Sequence, residues 1–307
     1  MGTGSPGVRR KSKLRLHNLM LPYYFLSPAA ILFMVFLFYP ILNVFYYSFQ
    51  HYNPGAWYGN GPAGFDNFIK IFTDDPRFVQ AFIISLRWIF TQVSLQLVCG
   101  LLIALLLNRH FFGRGLVRSI IISPWALSGV IVSILWALLY NEHIGPINDV
   151  LLRLSLIERP VAWLANLDTV FGAVSLAQFW RGIPLFVIVL LAALQSVPDE
   201  LYESCAMDGG GTFWKFFCIT LPYLKDTIIL TTLLRTVWEF NAVDLIYNLT
   251  GGGPINYTTT LSVYIANLAI RSMEFGYGSA VAVVSFLFLL IFAALYLRLS
   301  NFGKATL

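Results

Sequence analysis

Long apolar runs separated by short polar segments dominate the chain. The runs are continuous and do not alternate apolar and polar positions, as the strands of a membrane barrel would. Because lipid admits only helices or closed barrels, the pattern predicts an all-α integral membrane protein with six transmembrane helices. Each run approaches or exceeds the about 20 residues that cross the hydrocarbon, and they lie at 25–48, 80–107, 119–140, 170–195, 227–248 and 277–300.

The composition agrees with lipid as the main solvent. Of the 307 residues, 58% are hydrophobic and only 11% are charged, whereas soluble domains carry about 25% charged residues. The net charge of +5 does not indicate a nucleic-acid partner, because membrane proteins concentrate Lys and Arg in their cytoplasmic segments. The cysteines, Cys99, Cys205 and Cys218, have no His beside them, so no metal site is expected.

The distribution of basic residues predicts the orientation. Six spans place both termini on one side, and the segments on that side hold twelve Lys and Arg residues against five in the opposite connections. Both termini are therefore expected in the cytoplasm. The long outer connections at 51–78, 141–169 and 250–276 are suited to a docking surface. The predicted organisation is a basic cytoplasmic N-terminus at 1–22, a six-helix membrane domain at 23–300 and a cytoplasmic C-terminus at 301–307.

A polar segment at 197–226 separates the fourth and fifth spans. Residues 196–200 predict a helix start, and the glycines at 209–211 predict its end. A second short helix is expected at 212–219, ended by Pro222, whose missing N–H breaks a helix. One interpretation is an interfacial connector that places aromatic side chains among lipid headgroups, namely Phe213, Trp214, Phe216 and Phe217.

The spacing within this segment resembles a cytoplasmic motif of ATP-binding-cassette importer permeases. That motif, called EAA, reads Glu-Ala-Ala, three residues, Gly, nine residues and Ile-x-Leu-Pro. Here Glu203 begins Glu-Ser-Cys, Gly209 follows after three residues, and nine residues separate Gly209 from Ile219 in Ile-Thr-Leu-Pro. Ser204 and Cys205 replace the two alanines with residues of similar size.

The resemblance implies the type I importer permease architecture, with a coupling helix that sits in a groove of an ATPase subunit. The chain itself contains no Gly-x-x-x-x-Gly-Lys-Ser/Thr motif, so it does not bind ATP phosphates by that route. ATP and Mg would be bound by two partner ATPase subunits, and no cofactor is expected in this chain. The implied contact residues are Glu203, Ala206, Asp208 and Gly209, with Ile219, Leu221 and Pro222 fixing the exit of the segment.

Three other segments resemble the carbohydrate-uptake branch of this family. They are Phe-Asp-Asn-Phe at 65–68, Phe-Trp-Arg-Gly-Ile-Pro at 179–184, and residues 240–254, which contain Phe-Asn-Ala-Val-Asp and Leu-Thr-Gly-Gly-Gly-Pro. The likeness implies a binding-protein-dependent importer of a sugar, a di- or oligosaccharide, in the bacterial inner membrane. It also implies a second related permease subunit as heterodimer partner and an extracytoplasmic solute-binding protein.

Five charged residues fall inside the predicted spans, where each costs roughly 2.5–3.5 kcal/mol near the bilayer centre. They should therefore face protein or water. Arg181 and Glu239 both approach the midplane, so they could meet there. Alternatively, Glu239 could pair with Arg235, which lies four residues earlier on the same helix face. The five residues are Arg87, Arg181, Arg235, Glu239 and Asp244.

A sugar site needs hydrogen-bonding groups for hydroxyls and flat aromatic faces for the rings. The fourth and fifth spans supply both kinds of group, which predicts a cavity between these spans near the midplane. Its candidate lining residues are Gln178, Trp180, Arg181, Trp238, Glu239, Asn241 and Asp244.

Two other functions stay open. An importer of a glycerol phosphodiester or another polar solute with an anionic group would need Arg87, Arg181 or Arg235 exposed to the cavity. A membrane-embedded enzyme would need a compact catalytic constellation. However, the four histidines lie in loops or termini, and the spans contain neither paired carboxylates nor metal-ligand spacing.

Overall fold

The fold is almost entirely helical. The computed structural model describes residues 22–56, 58–300 and 302, so the predicted terminal segments 1–22 and 301–307 lie almost wholly outside the described residues. The helices are α1 (Pro22–Ser48), α2 (Asp66–Thr73), α3 (Pro76–Asn108), α4 (Arg114–Ile122), α5 (Gly129–Leu139), α6 (Pro146–Arg153), α7 (Leu167–Leu194), α8 (Asp199–Met207), α9 (Thr212–Lys215), α10 (Leu221–Phe240), α11 (Asp244–Thr250), α12 (Leu261–Ile270) and α13 (Phe275–Leu299).

Five helical stretches are each long and apolar enough to cross a membrane, and a bent pair of helices completes six. The predicted six-helix membrane fold is therefore confirmed. The spans are Pro22–Ser48, Pro76–Asn108, the pair Arg114–Ala126 and Gly129–Leu139, Leu167–Leu194, Thr212–Thr250 and Phe275–Leu299.

The third span differs from the single helix predicted at 119–140. It consists of α4 with a 3-10 turn at Ser123–Ala126, followed by α5, and the two parts meet at an angle of 103°. Pro124 in the turn has no backbone N–H with which to continue the helical ladder. Ser128 then caps α5, because its hydroxyl accepts a hydrogen bond from the Ile131 N–H at 3.4 Å.

The segment between the fourth and fifth spans contains the predicted first helix. α8 begins after Pro198 and ends before Gly209, whose φ of +78° lies in the left-handed region that glycine tolerates. Two backbone hydrogen bonds close the turn: the Gly209 N–H donates to the Ala206 carbonyl at 3.0 Å, and the Gly210 N–H donates to the Cys205 carbonyl at 2.8 Å.

The predicted break at Pro222 is wrong. α9 continues through a π-helical turn at Phe216–Thr220 into α10, which carries Pro222 in its first turn. In the π turn the Leu221 N–H donates to the Phe216 carbonyl, five residues back. This wider spacing accommodates a proline, which cannot donate to the carbonyl four residues before it. α9, the π turn and α10 therefore form one helical rod.

Short ordered elements fill the predicted outer connections. A two-stranded antiparallel ladder, β1 (Gln50–His51) with β2 (Gly61–Pro62), and α2 lie in the first connection. α6 lies in the second connection and α12 in the third. These connections are folded structures rather than loose loops.

Asp75 joins three helices at the predicted outer end of the bundle. One of its carboxylate oxygens caps the N-terminus of α3, and the other accepts hydrogen bonds from the Tyr264 hydroxyl at 2.7 Å and the Tyr277 hydroxyl at 2.5 Å. Burial raises the pKa of the Asp75 carboxyl, but the tyrosine and backbone hydrogen bonds outweigh burial and hold this pKa below its usual value. The ionised carboxylate therefore joins α3, α12 and α13.

Helices α3 and α7 cross closely at the centre of the bundle. A Cβ added at Gly100 of α3 would lie 2.5 Å from the Cβ of Phe186 on α7, so the crossing requires glycine. Leu190 and Leu191 of α7 and Leu224 of α10 are fully buried in the same cluster. The core thus joins the fourth span to both the second and the fifth.

We expect the two ends of the bundle to be reachable from opposite sides of the membrane. In a variant lacking Cys99, Cys205 and Cys218, single cysteines can replace Ile144 and Met207, whose side chains are 79% and 87% exposed. Ile144→Cys should react with an impermeant thiol reagent in intact spheroplasts, and Met207→Cys only after lysis, because basic segments stay cytoplasmic. The reverse labelling pattern would contradict the predicted orientation.

Candidate functional site

A cavity of about 290 Å³ lies between α7, the end of α10 and the turn before α5. The helical rod ends at Phe240 and α11 begins at Asp244, so a short non-helical break in the fifth span forms part of the wall. Five residues predicted from the sequence are among those that line the cavity. The lining residues are Trp125, Gln178, Arg181, Arg235, Trp238, Asn241, Ala242 and Asp244.

An ion pair crosses one side of the cavity. Arg181 on α7 donates to an Asp244 carboxylate oxygen at 3.0 Å, and the two side chains are 25% and 43% exposed. A Cβ added at Gly129, the first residue of α5, would lie 1.7 Å from the same oxygen. A larger residue than glycine at position 129 would therefore overlap the Arg181–Asp244 pair. Arg181 bonds Asp244, and Glu239, the acid that it could meet according to the sequence analysis, is paired with Arg235.

Glu239 lies behind the cavity wall, with 1% of its surface exposed. Its carboxylate accepts hydrogen bonds from Trp88 at 3.0 Å and Gln96 at 3.3 Å, both on α3. It also accepts from the Gln178 amide of α7 at 3.0 Å and from the Arg235 guanidinium at 2.5 Å. The pairing of Arg235 with Glu239 along one helix face is thus confirmed. Because these donors occupy both oxygens, Glu239 joins three helices and does not face the cavity.

Further amides extend this polar layer through the bundle. The Gln96 amide donates to the Gln92 side-chain oxygen at 3.1 Å, and the Gln92 amide donates to the Ser175 carbonyl at 3.1 Å. A Cβ added at Gly182 would lie 2.3 Å from side-chain nitrogens of Gln96 and Arg235. Glycine at this position therefore makes the space that the layer occupies.

Two buried polar atoms of the cavity residues have no hydrogen-bond partner among the residues that the structure describes. They are the Gln178 side-chain oxygen, an acceptor, and the Arg235 Nε, a donor. Gln178 and Arg235 are only 5% and 6% exposed. Both atoms are buried and are not exposed to the cavity, so each unpaired group costs about 1–3 kcal/mol.

Two tryptophans provide ring surfaces at the cavity. Trp125 and Trp238 line it and are 50% and 44% exposed. The sequence prediction did not include Trp125, because it took the cavity residues from the fourth and fifth spans alone. The neighbouring Pro124 is the signal that marks a break in the third span. Trp180 packs against Trp136 in the core, with ring centroids 6.1 Å apart, instead of lining the cavity.

The residues predicted to contact an ATPase lie together on α8 and the turn that follows it. Glu203, Ala206, Asp208 and Gly209 are all exposed, whereas Tyr202 on the inner side of α8 is partly buried. The four residues are therefore accessible to a partner, as a docking helix requires.

The inner side of α8 contacts the helical rod. The Tyr202 hydroxyl lies 3.0 Å from the Thr220 hydroxyl, at the end of the π turn. Leu221 and Pro222, the predicted exit residues, follow directly in the first turn of α10. The chain therefore enters the fifth span as a continuous helix and does not bend at Pro222.

A comparison with protein families gives a match over residues 96–301, which is most of the chain. The matching family is described as binding-protein-dependent transport system inner membrane component.

Several curated relatives align with nearly the whole chain. The trehalose/maltose transport system permease protein MalF of Thermococcus litoralis is 33% identical, over 95% of this chain and 98% of the relative. The sulfoquinovosyl glycerol transport system permease protein SmoG of Agrobacterium fabrum is 34% identical, over 93% and 92%. The diacetylchitobiose uptake system permease protein DasB of Streptomyces coelicolor is 32% identical, over 97% and 92%.

Solved structures share the fold. A chain of a bacterial ABC transporter involved in the import of the acidic polysaccharide alginate matches with a TM-score of 0.81 and 24% identity, over 95% of this chain and 100% of that chain. A chain of the bacterial alginate ABC transporter in complex with an alginate pentasaccharide-bound periplasmic protein matches with a TM-score of 0.83 and 23% identity, over 95% and 98%. The predicted importer-permease architecture is therefore confirmed.

We expect Glu239→Gln to destabilise the protein strongly, because it leaves the buried Arg235 guanidinium without its counter-charge. Removal of one partner from a buried ion pair costs about 3–5 kcal/mol. Asp244→Asn opens the half-exposed pair with Arg181 and should cost about 1 kcal/mol or less. Thermal unfolding of the purified variants in detergent measures both losses. Equal losses would contradict the role of Glu239 as the main tie between the helices.

Proposed function

Because the chain belongs to the family of binding-protein-dependent transport system inner membrane components, we propose that it is the permease subunit of an ATP-driven sugar importer. In this role it forms half of the translocation path for a di- or oligosaccharide across the inner membrane. Membership of the family makes the chain a transport protein and not an enzyme. The relatives' names, which refer to trehalose or maltose, diacetylchitobiose and a sulfoquinovosyl glycerol, support a sugar as the solute.

The observation that carries the sugar proposal is the chemistry of the cavity. Trp125 and Trp238 expose flat apolar surfaces, and Gln178 and Asn241 supply amides beside them. A sugar ring has apolar faces and hydroxyls along its edge, so it needs both kinds of partner. Sugar hydroxyls could also contact the Arg181–Asp244 pair, which lines the cavity and is partly exposed.

Charge balance favours a neutral sugar over an anion. Arg181 pairs with Asp244 and Arg235 pairs with Glu239, so each arginine at the cavity has a compensating carboxylate. Arg87 lies over a phenylalanine ring, with its guanidinium carbon 4.0 Å from the ring centroid, and it does not line the cavity. A glycerol phosphodiester would therefore meet no uncompensated cation in the described part of the cavity wall.

The cavity is open on one side, and its lining residues form one wall of the translocation path. Its tryptophans and the Arg181–Asp244 pair are partly exposed, so another surface is needed to enclose a solute. A second, related permease subunit would supply that surface in a heterodimer. An extracytoplasmic solute-binding protein would deliver the sugar to the outer connections.

Energy would come from two ATPase subunits on the cytoplasmic side, which bind the ATP and Mg that this chain has no motif to hold. The exposed surface of α8, formed by Glu203, Ala206, Asp208 and Gly209, is the proposed contact. A short rigid helix suits this role, because it moves as a body when its partner moves. The left-handed Gly209 allows the sharp turn behind α8.

Substitution of the cavity residues should weaken sugar binding during import. Trp125→Ala removes a ring surface and Gln178→Ala removes hydrogen-bonding groups, and each loss of about 1–3 kcal/mol corresponds to a five- to hundredfold higher half-saturating concentration. Trp125→Phe keeps a ring and should stay close to the original protein. Uptake of labelled maltose and trehalose by proteoliposomes that contain the whole importer measures the effect.

Size-exclusion chromatography of each purified importer serves as the control for assembly. If Trp125→Ala and Gln178→Ala assemble and import with unchanged concentration dependence, the sugar contacts lie on the partner permease and the cavity assignment is wrong.

The coupling contact makes a second prediction. Glu203→Lys reverses a charge on the exposed surface of α8 and should abolish ATP-driven import while the permease still inserts into the membrane. Gly209→Val should do the same, because a β-branched residue is strained at a φ of +78°. Glu158→Lys reverses an exposed charge in a predicted outer connection and is the matched control. Normal import by Glu203→Lys at normal expression would remove the coupling assignment.

A further inference from the structure

The backbone between α8 and the helical rod runs through three consecutive glycines. Gly209 has a φ of +78°, and no heavy atom lies within 4 Å of a Cβ built at Gly211. Glycine restricts backbone rotation least of all residues, so Gly209 and Gly211 are the points of the turn that rotate most freely, whereas Gly210 packs against Cys205 and Trp214. Rotation at these two glycines would change the angle between α8 and the rod.

One side-chain contact bypasses the glycine turn. The hydroxyl of Tyr202 on α8 lies 3.0 Å from the hydroxyl of Thr220, which is 18 residues further along the chain. Thr220 is 4% exposed, and its hydroxyl also lies 3.3 Å from the Lys215 carbonyl, which accepts a hydrogen bond from it. The contact therefore attaches α8 to a buried and well-anchored point of the rod.

From this point the rod leads directly to the cavity. Thr220 and Trp238 are joined by continuous helix, and at about 1.5 Å per residue they lie about 27 Å apart along the axis. Trp238 and Asn241 line the cavity at the far end. A helix of this length that packs against α3 and α7 transmits a displacement as a rigid body.

We propose that Tyr202 is a positioning residue that makes α8 and the cavity wall move together. The inference rests on the importer function proposed above, and it adds a specific residue pair to it: the hydroxyls of Tyr202 and Thr220 carry to the rod the movement that the ATPase imposes on α8. Without this contact, the glycine turn absorbs part of the movement, and ATP is hydrolysed with less sugar transported.

The chain offers a matched control for the loss of a tyrosine hydroxyl. The Tyr223 hydroxyl donates to the Ser196 carbonyl, also at 3.0 Å. This bond joins the rod to the connection between α7 and α8, and no residue of α8 takes part in it. Tyr223→Phe therefore removes a similar hydrogen bond near the same end of the rod but leaves the proposed connection in place.

The test is the number of sugar molecules imported per ATP hydrolysed by the complete importer in proteoliposomes. Tyr202→Phe and Thr220→Val should each lower this ratio about two- to tenfold, the range that corresponds to the net worth of one hydrogen bond. Thr220→Ser keeps the hydroxyl and should retain the ratio, as should Tyr223→Phe. The double variant Tyr202→Phe with Thr220→Val should be no worse than either single variant, because both remove the same contact.

Thermal unfolding of each variant separates positioning from stability, since a merely structural bond would change the unfolding temperature and not the ratio. Unchanged ratios in Tyr202→Phe and Thr220→Val, or an equal decrease in Tyr223→Phe, would overturn the inference and leave the importer function intact. Failure of the original protein to import any sugar with ATP would instead overturn the proposed function.

Discussion

A carboxylate at the centre of a membrane protein has to be satisfied by the protein itself, because lipid offers no hydrogen-bond donor. Glu239 meets this condition with donors from α3, α7 and its own helix. Separation of α3 or α7 from this helix would take away the neutral donors Trp88, Gln96 or Gln178 and leave the carboxylate with too few hydrogen bonds. Gln178 and Arg235 each bind Glu239 and also line the cavity. The interaction that holds the bundle together therefore also supplies the polar side of the cavity.

The sequence was sufficient to predict the membrane fold, because the length and composition of apolar runs decide which segments lie in lipid. It also located the helix α8, whose start and glycine end have local signals. It failed at the bend near Pro124 and at the π turn before Pro222. Apolar residues form the same pattern in a straight helix and in a broken one, and whether a proline breaks a helix depends on the hydrogen bonds of the preceding turn.

Within the candidate site, the predicted polar residues proved informative because polar groups are rare in apolar spans and must face protein or water. The aromatic residues were predicted less well. Trp180, predicted at the cavity, packs in the core, and Trp125, which was not predicted, lines the cavity. The rotation of a helix about its axis decides where a ring points, and the sequence does not reveal this rotation. The choice of partner for Arg181 was also beyond the sequence, because it depends on the space that Gly129 leaves beside Asp244.

The two intramembrane ion pairs place different demands on the biogenesis of the protein. Arg235 and Glu239 lie four residues apart on one helix, so their charges compensate each other as soon as that helix forms. Arg181 and Asp244 lie 63 residues apart on successive spans, and each alone opposes membrane insertion by roughly 2.5–3.5 kcal/mol near the bilayer centre. Arg181 on the fourth span therefore gains its counter-charge only when the fifth span has been synthesised. The fifth span thus brings the complete Arg235–Glu239 pair and, in Asp244, the counter-charge of Arg181.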